Sequence, residues 1–177
     1  MYVVFVRTGR ENVVFRELKK YGFEAILPVK QEFRNTGKKW KIEEKIIFAN
    51  YVFLKCEMTE KKYGEIRKIR YIQRILGWDD NCVPFLKKQE QSYIEWLWNG
   101  GKSIEPLEIL VKADGEKVVV SGILKKYPAE KFEYNAERRE VLADVEIAGF
   151  SHKIAFPAVE KKETFSTEKN KNETKNL

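Results

Sequence analysis

The stretch Ile46-Ile47-Phe48-Ala49-Asn50-Tyr51-Val52-Phe53-Leu54-Lys55 constrains this chain's fold more than any other part of it. It is too apolar for a loop and shorter than the roughly 20 apolar residues a bilayer span needs. Ile, Val, Phe and Tyr dominate it, so it reads as β structure interrupted by a bend or tight turn at Ala49-Asn50. Its aromatics then stand on a sheet whose faces need cover, and what covers them decides what the protein does.

Reading outward from that run gives the rest of the order. Residues 2–6 read as a strand broken by Thr8-Gly9-Arg10, and Val14, Phe15, Leu18 and Tyr21 recur at helical spacing before Gly22. Residues 23–33 read as extended with Pro28 at an edge or bulge, and Asn35-Thr36-Gly37-Lys38-Lys39 is a hairpin turn. Returning strands are expected at 40–48 and 51–56, a helix at 60–69 opened by Thr59, a strand at 72–78 and a helix at 85–98. This order predicts a compact α+β domain over 1–98, a mostly antiparallel sheet flanked by helices. Asn99-Gly100-Gly101-Lys102-Ser103 starts a flexible linker over 99–112, stiffened at Pro106. Short strands at 117–120, 141–147 and 153–156 predict a small β unit over 113–162. Residues 163–177, rich in Lys, Glu, Asn and Thr, read as a disordered tail.

Catalysis finds little support. The single histidine, His152, has no metal or nucleophile partner at useful spacing, and Cys56 and Cys82 form no Cys-x-x-Cys pair and read as reduced and semi-buried. No glycine cluster builds a phosphate loop, and Asp79-Asp80 beside Asn81 reads as a turn rather than a magnesium site. The expectation is a binding protein with no cofactor and no metal. Lys plus Arg number 34 against 27 Asp plus Glu, a net +7, which suits a nucleic-acid partner but is equally explained by solubility. Met1-Tyr2-Val3-Val4-Phe5-Val6-Arg7 lacks a basic leader, so a cytoplasmic, membrane-free monomer is expected.

Three features are candidates for binding. Tyr2, Phe5, Trp40, Phe48, Tyr51 and Phe53 are core residues by default, yet alternation puts neighbours on opposite faces, so an exposed remainder is a docking surface. Arg67, Arg70 and Arg74 fall at helical spacing as a stripe for phosphates, although a solvated helix face explains them equally well. Lys125, Lys126, Lys131, Arg138 and Arg139 interleave with Tyr127, Phe132 and Tyr134, but Glu130, Glu133, Glu137 and Glu140 offset their charge. Only a fold that separates the signs makes that stretch an RNA surface.

With these residues in place, the chain resembles the NusG family of transcription elongation factors over about residues 1–162. The opening Tyr2-Val3-Val4-Phe5 with Gly9-Arg10-Glu11-Asn12 looks like that family's first strand and helix start. Phe48-Ala49-Asn50-Tyr51-Val52 looks like its Phe-Pro-Gly-Tyr-Val element, with Ala for Pro and Asn for Gly as in the specialised RfaH and LoaP paralogues. Phe156-Pro157-Ala158-Val159-Glu160 is similar to its closing strands, while Ala129 stands where a signature glycine is usual.

The resemblance implies an N-terminal NGN domain, a linker and a small SH3-like β-barrel KOW domain. It implies that the NGN domain binds the clamp helices of the largest catalytic subunit of bacterial RNA polymerase and suppresses pausing. Tyr2, Phe48, Asn50, Tyr51 and Lys62 are the positions it marks for that contact. The LoaP type implies recruitment by an RNA hairpin in the leader transcript, with Arg67, Arg70, Arg74, Lys125, Lys126, Lys131, Arg138, Arg139 and Lys153 on nucleic acid and DNA of the elongation complex as a further contact. The alternative is a general factor coupling polymerase to the ribosome or Rho through the KOW domain. Local propensity over 128–145 favours helix, so a partly helical loop near 130–137 is expected inside the barrel.

Overall fold

The computed structural model describes residues 1–79, 86–126, 132–147 and 150–162. Its elements run β1 (Tyr2–Val6), α1 (Glu11–Lys20), β2 (Glu24–Ile26), β3 (Val29–Asn35), β4 (Trp40–Ile46), β5 (Tyr51–Lys55), α2 (Glu60–Arg67), β6 (Ile72–Leu76) and α3 (Lys88–Trp98). After a short turn come β7 (Leu107–Val111), β8 (Lys117–Ser121), α4 (Ile123–Lys126), β9 (Phe132–Asn135), β10 (Glu140–Ile147) and β11 (Phe150–Lys162).

The N-terminal unit is a four-stranded antiparallel sheet of order β2-β5-β1-β6. Alternation along β1 sorts its side chains. Tyr2, Val4 and Val6 are buried in a core with Val14 and Leu18 of α1 and Ile66 of α2. Val3, opposite Phe53, turns to the other face. Leu27-Pro28 lets the chain leave that sheet, so the expected single segment over 23–33 is two strands, and β3 pairs with β4 as a separate two-stranded hairpin. Six of the seven residues of β4 are exposed.

The C-terminal unit is a five-stranded sheet of order β8-β7-β11-β10-β9, an open half-barrel. The long β11 pairs antiparallel with β10 through Pro157 and then parallel with β7 from Ala158. Three expectations change here. Leu107–Val111, inside the span read as linker, is a strand of this sheet. The last strand continues past Val159, where the composition turns polar, as far as Lys162, because its ladder to β7 supplies the hydrogen bonds that its side chains do not demand. The third concerns the loop near 130–137, which is not helical where described: Phe132–Asn135 is β9, paired with β10, and the one helical turn, α4, precedes it. Pairing outweighs a weak propensity. Asp80, Asn81, Cys82, Tyr127 to Lys131, and the tail over 163–177 lie outside the described residues.

The second face of the N-terminal sheet is covered by α3 and by the half-barrel. Ile26 and Phe53 share one buried cluster with Ile94 and Leu97 of α3 and with Leu107, Ile109, Val141, Ile154 and Phe156. Polar contacts cross the same seam. The Trp96 indole N–H donates to the Ile123 carbonyl at 3.1 Å, and the Lys30 ammonium donates to the Ala155 carbonyl. Ile104 bonds both ways with β3, donating to Val29 and accepting from Gln31, each at 2.8 Å. The apolar run over 46–54 is therefore covered by this chain itself.

Candidate functional site

One end of the N-terminal sheet gathers the start of β5, the end of β1 and the start of β6. Asn50 sits at φ 71, a left-handed conformation that Asn tolerates better than most residues. Its N–H donates to the Glu11 carboxylate at 2.8 Å, and its side-chain amide donates to the Thr8 hydroxyl at 2.8 Å. Glu11 is buried in the first turn of α1, where a negative charge is favoured. The turn at 49–50 is thus tied to the loop between β1 and α1.

Around this knot stand four exposed arginines, Arg7, Arg10, Arg70 and Arg74. The Tyr71 ring lies against two of them, with the Arg10 guanidinium 5.1 Å and that of Arg70 4.8 Å from its centroid. Tyr71 holds φ 76, a strained conformation for an aromatic residue, and its carbonyl accepts from the Arg7 N–H at 3.0 Å. Arg74 lies 5.8 Å from the Phe5 ring, which packs at 5.6 Å against Tyr51. Planar guanidiniums held by rings present fixed donors to a polyanion at lower entropic cost than free side chains.

The predicted residues are distributed differently from the expectation. Tyr2 is not beside Phe48 and Tyr51. It is buried on the opposite sheet face, edge-on to Trp78 at 6.4 Å, and burial pushes its phenol pKa up. Phe48 and Tyr51 are half-buried against the shared core, with Phe48 at 5.5 Å from Phe53 and 6.1 Å from His152. Lys62 belongs to the start of α2, where its ammonium donates to the Glu57 carbonyl at 2.8 Å. Arg67, Arg70 and Arg74 do not share a helix face, because α2 ends at Arg67 and Arg74 is on β6. The Arg67 guanidinium instead donates to the Gln73 carbonyl at 2.8 Å.

In the C-terminal unit, Arg138 and Arg139 occupy the β9–β10 turn, Lys153 faces Asp144 across β10 and β11, and Lys125 follows β8 beside Lys117 and Phe132. The side chain of Lys126 and all of Lys131 lie outside the described residues. Arg7, Arg10 and Tyr71 were missed by sequence reasoning, since spacing within one helix was used where three strand ends converge. Their signal was a pair of arginines on either side of the Thr8-Gly9 break and a second pair around Tyr71-Ile72.

Among the described residues no cluster of His, Cys, Asp and Glu is arranged to hold a metal, and no helix is long and apolar enough to cross a membrane. The site is an arginine-rich sheet end joined to an α+β unit. The family model described as transcription termination factor NusG matches residues 1–93, more than half of the chain, and the chain belongs to that family. No curated protein matches the chain. Members of the family are non-enzymatic transcription elongation and termination factors that bind RNA polymerase.

Proposed function

We propose that this chain is a specialised, antiterminating member of the family, recruited by an RNA hairpin in a leader transcript. Residues 1–98 act as the NGN domain on the clamp helices of RNA polymerase, through the apolar face that carries Phe48 and Tyr51. The half-barrel is its KOW domain, into which the pairing of Leu107–Val111 with β11 draws part of the expected linker. The observation that carries the reading is the Arg10–Tyr71–Arg70 stack, flanked by Arg7 and Arg74 beside the Asn50 turn. Four cations at one sheet end, set among rings, match the phosphates of a folded RNA, which is read mainly through backbone and shape.

The test is hairpin binding by the full chain at several salt concentrations. Arg10→Gln with Arg70→Gln removes two phosphate contacts, so the slope of log affinity against log salt is expected to fall by about 1.4–1.8. An unchanged slope and affinity would reject the site. Loss of hairpin binding with polymerase affinity intact is the outcome this reading requires, because the two surfaces use different residues.

A further inference from the structure

A second cationic surface lies at the far end of the β3–β4 hairpin. Strands of seven residues place its tip about 20 Å from its base. The tip is well ordered by its own bonds: the Asn35 side-chain carbonyl accepts from the Gly37 N–H at 2.8 Å, and the Thr36 hydroxyl donates to the Lys39 carbonyl at 2.8 Å. That turn chemistry needs Asn, Thr and Gly. It does not need Lys38 and Lys39, nor the exposed Trp40 that follows.

The charges on the strands point the same way. Register sets Lys30 opposite Lys45, Glu32 opposite Glu43 and Arg34 opposite Lys41, like facing like at each step. Direct cross-strand repulsion is unfavourable, and opposite charges nearby relieve most of it, diagonally for Arg34–Glu43 at 3.0 Å and Lys45–Glu32 at 2.9 Å and along β3 for Lys30–Glu32 at 3.9 Å. Lys41 is left without an ion pair among the described residues. The fold therefore carries a repulsive Arg34–Lys41 pair that its own stability does not call for.

The β9–β10 turn of the half-barrel then adds to the tip. The Arg139 guanidinium lies 5.4 Å from the Trp40 centroid, although Trp40 stays 42% exposed. Arg138 extends into solvent with only a 3.8 Å approach to Glu140. The nearby carboxylates are Glu43, already paired with Arg34, and Glu32, Glu137 and Glu140, which line the same cleft as Trp40 and Arg138. Glu32 is offset by Lys30 and Lys45, and against the other three stand Arg34, Lys38, Lys39, Lys41, Arg138 and Arg139.

We propose that the hairpin tip and the β9–β10 turn form a binding site for single-stranded nucleic acid, in which Trp40 stacks on an unpaired base and Lys38, Lys39 and Arg138 hold the flanking phosphates, while Lys41, on the opposite face of the ribbon, adds to the field that draws the strand in. An exposed indole between cations is the pairing that sequence-tolerant strand binding uses, a π face for the base and point charges for the backbone. The site shares no residue with the arginine cluster around Tyr71 and does not rest on the reading of that cluster.

The experiment is fluorescence anisotropy of the full chain with labelled unstructured oligouridine, oligothymidine and duplex DNA, across a salt series. Trp40→Ala is expected to weaken both single strands about five- to 150-fold, the range for losing one stacked base, and to affect duplex less. Trp40→Phe is expected to retain most of the affinity. Replacing Lys38, Lys39 and Lys41 by Gln is expected to lower the single-strand salt slope by about 2. These lysines are exposed, so that variant tests the site even if Trp40→Ala loosens the hairpin. Preference for uridine over thymidine oligomers identifies RNA as the occupant, and the reverse identifies DNA. Wild-type affinity and slope in both variants overturn the proposal, as does absence of measurable oligonucleotide binding by the wild-type chain. Arg10→Gln/Arg70→Gln, run alongside, separates failure here from failure at the Tyr71 cluster.

Discussion

At Gly122 the backbone holds φ 95, and a Cβ added there would meet the side chain of the fully buried Leu107. Two costs then combine, a left-handed conformation for an L residue and overpacking against β7. Gly122→Ala is expected to lose about 2–4 kcal/mol, read as a lower urea midpoint at unchanged m. Lys30 makes a different prediction. It is buried at the seam, and burial pushes its pKa below the ordinary lysine value, with Glu32 only partly opposing. Its ammonium therefore carries a penalty that is fully present below the folded pKa. As pH rises from there toward the unfolded value near 10.4, the unfolded chain binds more protons, and stability from this residue increases. The wild-type chain should gain stability relative to Lys30→Met across that alkaline window, and a pH-independent difference in denaturation midpoints would contradict it. Asn50 and Tyr71 differ in legibility. Both take positive φ, but Asn beside Ala in an apolar run announces a turn, whereas nothing in Arg70-Tyr71-Ile72 announces an aromatic in that region.

Among the elements, α3 joins the two units. Ile94 and Leu97 are buried between the N-terminal sheet and the half-barrel, Trp98 packs at 5.6 Å against Phe15 of α1, and Trp96 reaches the other way to Phe156 and to the Ile123 carbonyl. Leu97→Ala should cost about 2–5 kcal/mol and should do so in one transition, because the cavity opens in a core both units share. Two separate unfolding transitions would mean that the seam contributes little. The helices and the N-terminal strands were legible because each has a single strong period: Val14, Phe15 and Leu18 for α1, the alternation of Tyr2, Val4 and Val6 for β1. Strand β7 was not. Glu105-Pro106 and the preceding glycines spoke for a linker, and Leu107–Val111 becomes a strand through its antiparallel pairing with β8 on one side and its parallel ladder to residues some fifty positions later on the other. The expected helical character near 130–137 failed for the same reason, while the strand read at 141–147 is β10. Ala, Glu, Lys and Arg favour helix locally around that loop, and only pairing with β10 explains why Phe132–Asn135 is extended.

The whole molecule places the proposed polymerase-facing residues where they are occupied. Phe48 and Tyr51 pack partly buried against the cluster that the half-barrel completes, and Phe48 lies against His152 of β11. A face used in this contact cannot at the same time be used by a partner, so polymerase binding through it competes with docking of the half-barrel. The apparent dissociation constant is then the intrinsic one divided by the fraction of molecules with the half-barrel lifted. Weakening the seam at a point remote from Phe48 should therefore tighten polymerase binding. Trp96→Phe removes the indole donor to Ile123 while keeping most of the ring, a change of about 1 kcal/mol in docking, or roughly fivefold in the lifted fraction. Polymerase affinity is expected to rise by a similar factor, and hydrogen exchange over 47–53 to accelerate in the free protein. Phe48→Ala provides the opposing check. It loosens the seam too, but it also deletes the proposed contact, so it should accelerate exchange without improving affinity. Equal gains from both variants would show that polymerase binds elsewhere on the chain, and no change in either affinity would show that the half-barrel does not compete for this face.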